Sequence, residues 1–395
     1  MLVGFEASAL HGRKSGVGYH TENMMAGIMA ASPENRYVLF SSRNVRNDDY
    51  FSLGSGLEYN DRHFPVRAAW MQTVLPSALR EVRPDLCHFT NYLAPVRCPC
   101  PSIVTIYDMT VFITPRFHMF KKLVLDRTLI PIVARRADAI VTVSNSARND
   151  ILRFLKVPRE KVRVIPGAAS SHFRPVTDQA TLDRVRRRYG LDGPYILYVG
   201  TIEPRKNLVR LARAFARLKK RGLPHKLLIV GQPGWQVGPV YAEVERLGLT
   251  KEMVFTGYVP LEDLPPLYTM AESLAFPSLY EGFGLPVIEA MACGTPVVTS
   301  RSSSLGEIAG DAALLIDPLS VDELEDALYR LHTDTALRAC LYEKGIARAA
   351  LFTWQTNARA TLDLYKHVSS RSLGVRGAEA EVRERERQGS VVGDY

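Results

Sequence analysis

Leu279-Tyr280-Glu281-Gly282-Phe283-Gly284-Leu285-Pro286-Val287-Ile288-Glu289-Ala290-Met291-Ala292-Cys293-Gly294-Thr295-Pro296 is the stretch on which the fold is read. The apolar run Ser273 to Pro277 before it has the length of a buried strand. Gly282 and Gly284 open the backbone to close approach by a ligand. Pro286 suits the first turn of a helix, where a missing N–H costs nothing, and Gly294 with Pro296 ends that helix. Strand, glycine loop and helix start in succession leave free N–H groups at a positive dipole end, which attracts an anion, usually phosphate. Glu281 precedes the helix and Glu289 lies roughly one turn inside it. The two carboxylates therefore do not share a helical face and are expected to have separate duties.

Outward from this stretch the pattern repeats. Tyr195 to Gly200, Lys226 to Gly231, Met253 to Phe255, Pro296 to Thr299 and Ala313 to Ile316 read as further strands with helices between them. Earlier in the chain Leu2 to Phe5, Tyr37 to Phe40, Asp85 to Phe89, Ser102 to Ile106, Ala139 to Ser144 and Val162 to Ile165 form a similar series, with helices at Tyr19 to Ala31 and Ala147 to Leu155. Residues 41–80 carry little pattern. Strands alternating with helices predict parallel sheets covered on both faces. The small, polar, proline-bracketed segment Pro166 to Pro175 divides the two series. The fold class is therefore α/β, as two facing, doubly wound, Rossmann-like domains, residues 1–170 and 171–353. A final helix follows from Trp354 to about residue 368, and residues 369–395 mix Arg and Glu as a disordered tail.

The 395 residues are enough for two cores, and 46% apolar with 23% charged is the composition of a globular protein. No apolar run reaches membrane-spanning length, and Leu2-Val3-Gly4-Phe5 follows no basic leader, so a cytoplasmic protein is expected. Five scattered cysteines, including the tight Cys98-Pro99-Cys100, predict reduced thiols and no metal site. The net charge of +9 suits an acidic small molecule or an anionic membrane face; no zinc spacing or aromatic RNA-binding pattern supports nucleic acid. Arg116 to Arg136 is basic and amphipathic, which fits either a core-facing helix with a solvated basic face or attachment to the inner face of the cytoplasmic membrane.

Chemistry concentrates at carboxyl ends of strands. Arg205 and Lys206 stand in the turn after Tyr195 to Gly200, at a helix N-terminus, in the same sheet as the Glu281–Glu289 turn. Two cations and two helix starts make a diphosphate site that needs no metal or other cofactor. A carboxylate beneath the phosphates suits ribose hydroxyls, which favours Glu289 for that duty and leaves Glu281 to meet what lies beyond them. A purely structural ion pair between a carboxylate and Arg205 stays open. Gly12 to Gly18, carrying Arg13 and Lys14, reads as a glycine-rich loop after the first strand; it lacks the Gly-Lys-Ser/Thr of a P-loop.

The segments Gly16-Val17-Gly18-Tyr19, Thr105-Ile106-Tyr107-Asp108, Val143-Ser144-Asn145-Ser146, Tyr198 to Asn207, Phe255 to Val259 and Glu281 to Thr299 together resemble family 4 of the retaining glycosyltransferases, with the GT-B fold. The likeness extends over about residues 1–367 and is nearest to bacterial mannosyltransferase-like enzymes of surface-polysaccharide assembly. It implies a nucleotide-sugar donor (GDP-hexose first, UDP-hexose next) and a glycan or lipid-linked acceptor. It implies that Arg205 and Lys206 hold the diphosphate, with Gly16 and Gly18 approaching from the other domain and Gly200 at the turn. Glu289 would bind ribose, and Tyr258 and Val259 would line the base. Glu281 would bind donor-sugar hydroxyls with Gly282 and the N–H groups of Phe283, Gly284 and Leu285. Asp108 is carried over as a site residue. The family usually has His where this chain has Tyr107, and a phenol is no cation near neutrality. The resemblance also implies a terminal helix that crosses back to the first domain. A nucleotide-sugar 2-epimerase on the same fold, or a binding protein without turnover, are the rival readings.

Overall fold

A computed structural model describes residues 1–6, 8–12, 16–43, 53, 56–117 and 119–370, without the side chains of residues 121 and 122. The apolar runs become two wholly parallel sheets. β1 (Leu2–Glu6), β2 (Arg36–Ser41), β3 (Leu57–Asp61), β4 (Leu86–Phe89), β5 (Ser102–Thr105), β6 (Ala139–Thr142) and β7 (Val162–Val164) assemble in the order β3-β2-β1-β4-β5-β6-β7. β8 (Tyr195–Val199), β9 (Lys226–Val230), β10 (Met253–Gly257), β11 (Ser273–Phe276), β12 (Val297–Ser300) and β13 (Ala313–Ile316) assemble in the order β10-β9-β8-β11-β12-β13. Strand order reverses between β1 and β4 in the first sheet and between β8 and β11 in the second. Such reversals open a crevice at the strands' carboxyl ends, where doubly wound proteins bind ligands.

Each sheet is buried on both faces, which is why its strands show no polar alternation. In the first sheet Val38, Phe40, Cys87, Phe89 and Val104 pack under the helices Arg67–Val82, Phe120–Arg136 and Asn145–Leu155. Val3, Phe5, Leu39, Leu86, Ile103 and Val141 face the other way, onto the helix Gly16–Ala31 and a helix over residues 354–370. That last helix belongs to the first sheet although it follows the second in sequence. Ala358, Leu362, Tyr365 and Val368 are buried in the first core, Tyr365 Oη lies 2.7 Å from His88 Nδ1, and Asn357 Nδ2 donates to Pro166 O at 2.7 Å.

Three local expectations change. The helix expected from Tyr19 begins at Gly16, so Gly16 and Gly18 belong to its first turn rather than to a loop; Arg13, Lys14 and Ser15 lie outside the described residues. The weakly patterned region 41–80 holds β3 and a helix, Arg67–Val82, whose polar exposed face hides a buried stripe of Trp70, Met71, Leu75 and Leu79. The basic segment from Arg116 is split, with a 3-10 turn at Pro115–Phe117 and a helix from Phe120 to Arg136. The tail from residue 371 lies outside the described residues.

Candidate active site

The helix Leu285–Ala292 starts directly after the crevice loop, with Pro286 in its first turn. Its N-cap is Gly284 at φ 103°, and no side chain caps it. The glycine is required twice over, since a Cβ there would stand 2.5 Å from Leu305 Cδ2. Gly282 is required for another reason. A Cβ on it would stand 2.2 Å from Tyr107 O, on the opposite domain. Ser144 Oγ, also from the first domain, donates to Gly282 O at 2.7 Å. The two crevices therefore meet at this loop. Glu307 strengthens the junction by accepting from Asn145 N, Asn145 Nδ2 and Ser146 N at 2.7–3.0 Å, at the positive end of the helix Asn145–Leu155.

Glu281 is buried and gathers both cations. Lys206 Nζ donates to Oε1 at 2.6 Å and Arg205 NH1 to Oε2 at 2.7 Å. Arg205 also donates to Tyr280 O at 2.8 Å and to Glu203 Oε1 at 2.6 Å. Burial would raise the pKa of Glu281, but Arg205 and Lys206 overcome this and bring it down to about 2. Burial lowers the pKa of Lys206, with Glu281 opposing. Burial likewise works against the charge on Arg205, yet Glu281, Glu203 and Asp108 raise its pKa. Ser303 Oγ accepts from Glu281 N at 3.0 Å, and buried Ser304 donates to Glu281 O and Phe283 O. The cations and Glu281 hold one another in ion pairs.

A cavity of about 340 Å³ brings together Gly16, Asp108, Gly200, Arg205, Lys206, Glu281, Gly282, Phe283, Gly284 and Leu285. A second, of about 220 Å³, shares Tyr92, Asp108, Glu203 and Arg205 with it and continues to Phe117, Asp126, Ile130 and Trp235. Gly18, Tyr258, Val259 and Glu289 do not line the first cavity. Gly18 is buried within its helix. Glu289 is held by Tyr268, whose Oη donates to Oε2 at 2.9 Å. Burial pushes the Glu289 carboxyl up to about 7 despite that bond. Tyr19 comes from the opposite domain to hydrogen-bond Tyr258, and its pKa is raised by burial first and then by Tyr258, Glu22 and Glu289. Asp108 accepts from Thr110 N and Thr110 Oγ1 at 2.9 and 2.7 Å.

Sequence reasoning missed His20, Ser303 and Ser304, and gave no role to Ser144 within the segment Val143-Ser144-Asn145-Ser146. The serines are short polar residues in loops and helix starts, and only the meeting of two distant segments gives them partners. His20 follows Gly16-Val17-Gly18-Tyr19 directly and lines the first cavity, yet it reads in sequence as one more residue of a helix. Among the described residues one group of metal-ligating type occurs, His225, Glu272 and His332. It precedes β9 and β11 and so lies at the amino ends of the strands, opposite the crevice. Arg338 donates to the same Glu272 Oε2 that meets both imidazoles. Cys98 and Cys100 form no disulfide, and their Sγ atoms lie 3.7 Å apart.

Two facing Rossmann-like domains with a cation-lined crevice between them are the arrangement of the GT-B fold. The chain belongs to the family 4 glycosyltransferases. Residues 15–170 match the model described as Glycosyltransferase Family 4, and residues 182–348 the model described as Glycosyl transferases group 1. The chain is 34% identical over 304 residues to O-antigen chain mannosyltransferase B of Escherichia coli, an alignment spanning 76% of this chain and 77% of the relative. It is 31% identical to the serotype-specific mannosyltransferase WbdA of Escherichia coli over 62% of this chain, but spans only 31% of that longer protein. Among solved structures, sucrose-phosphate synthase from Thermosynechococcus elongatus superposes with a TM-score of 0.75 at 21% identity, over 94% of this chain and 100% of that one. Anabaena HepE in complex with UDP and glucose gives 0.71 at 18% identity, over 93% and 100%. Both likenesses concern the fold.

Proposed function

We propose that this glycosyltransferase moves a hexose, with mannose favoured, from a GDP- or UDP-activated donor to a glycan or lipid-linked glycan, with retention of configuration and without a metal ion. The observation that carries this reading is the Arg205–Lys206–Glu281 cluster beside the uncapped helix start at Gly284, at the strand reversal of the second sheet. Breaking the anomeric C–O bond puts negative charge on the leaving diphosphate. Arg205, Lys206 and the helix N-terminus are positioned to stabilise it, once the phosphates compete with Glu281 for the cations. Glu281 would then turn an oxygen to the sugar hydroxyls. Attack from the leaving-group face, with the departing phosphate taking the acceptor's proton, is the favoured route to retention. The mannosyltransferase relatives support the sugar, and the UDP-bound neighbour supports a nucleotide donor.

The acceptor reading rests on the second cavity. It leaves the cluster at Arg205 and Asp108 and reaches Phe117 and Asp126, beside Met119, Phe120, Val124 and Leu125, which are exposed. These apolar side chains, with exposed Arg116 and Arg127 alongside, suit a lipid face carrying anionic headgroups. No helix among the described residues is long and apolar enough to cross a membrane. Binding to phosphatidylglycerol vesicles is expected to exceed binding to phosphatidylcholine vesicles and to fall in Phe120→Glu; equal binding to both would remove the membrane from the proposal. The central experiment screens nucleotide sugars by thermal shift, then tests the best binder for acceptor-dependent nucleotide release that withstands EDTA. Isomerisation of the donor alone would replace transfer with the epimerase reading.

A further inference from the structure

His20 lies in the second turn of the helix Gly16–Ala31 and is buried, yet its Nε2 has no hydrogen-bond partner. Leaving such a group unpaired is costly, so buried polar atoms without partners call for a reason. The ring is held firmly. It stands edge-on to Tyr107 and to Trp354, each with centroids 5.2 Å apart. The backbone at Gly167 lies against the Cδ2–Nε2 edge, where a Cβ would come within 2.8 Å of Cδ2. Tyr107 Oη is 3.2 Å from Nδ1 and 3.4 Å from Thr21 Oγ1. The phenol is kept protonated, because burial raises its pKa. It can therefore donate to Nδ1 while accepting from Thr21. In that arrangement the imidazole proton is on Nε2. Burial also lowers the pKa of His20 to about 4, so the ring is neutral in ordinary buffers.

We propose that His20 is a contact to the hexose of the nucleotide sugar, its Nε2–H donating to a sugar hydroxyl, and that Tyr107 is the positioning residue that fixes its tautomer. His20 shares the cavity with Lys206, Glu281 and Gly282, across the domain junction from them. The diphosphate already has two cations, and a neutral N–H is suited to a neutral hydroxyl. In this way Tyr107 serves the site through His20 rather than as a ligand-binding group itself. The inference rests on the nucleotide-sugar reading above.

The test compares binding of a nucleoside diphosphate with binding of its sugar conjugate, GDP against GDP-mannose and UDP against UDP-glucose, by calorimetry. In His20→Ala the conjugate is expected to bind roughly three- to tenfold more weakly, with affinity for the bare diphosphate unchanged. His20→Gln, which restores an N–H donor, is expected to recover part of the difference and carries the test should the alanine variant not fold. Equal conjugate affinity in wild type and both folded variants would overturn the proposal. The ring 15N shifts of His20 are expected to report protonated Nε2 in the wild type and a tautomer mixture in Tyr107→Phe; protonated Nδ1 in the wild type would overturn the role of Tyr107. A wild type that binds GDP and UDP but neither conjugate would overturn the His20 contact, whereas one that binds no nucleotide at all would overturn the donor reading beneath it.

Discussion

Lys206 and Glu289 show how one crevice treats two buried ionisable groups in opposite ways. Lys206 is enclosed but faces a carboxylate at 2.6 Å, so the pair stays charged and available to an incoming diphosphate. Lys206→Ala is expected to slow transfer on the order of 10²-fold by removing an electrostatic contact to the leaving group. Near wild-type turnover in steady-state assays would refute it. Glu289 is raised by burial to a pKa of about 7, the Tyr268 phenol opposing only in part. Ribose hydroxyls would donate to the ionised form, so donor binding should expel a proton. Affinity for the nucleotide sugar is then expected to rise as pH climbs through 7 and to level off above it. Glu289→Gln should flatten that profile in calorimetry. A pH-independent wild-type affinity would count against ribose binding by this residue.

The crevice loop and its helix were legible as an element because glycine, proline and apolar spacing are local signals. Pro286 is in the first turn, as the spacing required, and Gly284 is the N-cap. What the loop touches was not legible. The pairing of Glu281 with Arg205 and Lys206 depends on β8 and β11 lying side by side, although some 75 positions separate the residues. The start of the first helix was misread because glycine is a poor helix former, and two of its first three residues are glycine. A Cβ on Gly16 would sit 3.9 Å from Leu285 Cδ1, an ordinary contact across the junction that does not itself demand glycine. The much closer approach of Tyr107 O makes Gly282 a sensitive backbone position of the loop. Gly282→Ala must push Tyr107 O away from the loop and disturb the Ser144 bond. A displacement of about 1 Å between reacting groups costs on the order of 10²-fold in rate. A fall of that size in kcat is expected, with an unchanged far-ultraviolet circular dichroism spectrum; unaltered kcat would show that the junction tolerates the methyl group.

At the scale of the molecule, acid is the expected weakness. Burial lowers His20 to about 4, and burial together with His20 lowers His88 to about 3, against an ordinary 6.5. Above pH 6.5 neither the folded nor the unfolded chain protonates these rings. As pH falls below that, the unfolded chain gains protons that the folded one refuses until near 4 and 3, so stability drops through this window. Glu281, held at about 2, adds a loss below its ordinary 4.5. Glu289 runs the other way, its contribution present below 4.5 and lost as pH rises through 7, but it is one group against two histidines. Melting temperature is expected to fall steadily from pH 7 to pH 5, and less steeply in His88→Gln; a flat profile would contradict the assignment. The two-sheet architecture was legible in sequence because buried parallel strands announce themselves as unbroken apolar runs. The hold of the terminal helix on His88 was not, since it joins residues 277 positions apart. That hold has a consequence for the chain as the ribosome makes it. The first domain is translated early, yet the face of Val3, Phe5, Leu39 and Ile103, which the helix Gly16–Ala31 shares with the terminal helix, is not fully covered until residues 354–370 have emerged. Domains otherwise tend to fold in order of synthesis. Here the first domain begun is the last one sealed, and a nascent chain halted before that helix carries a partly covered apolar face that needs a chaperone or draws a protease.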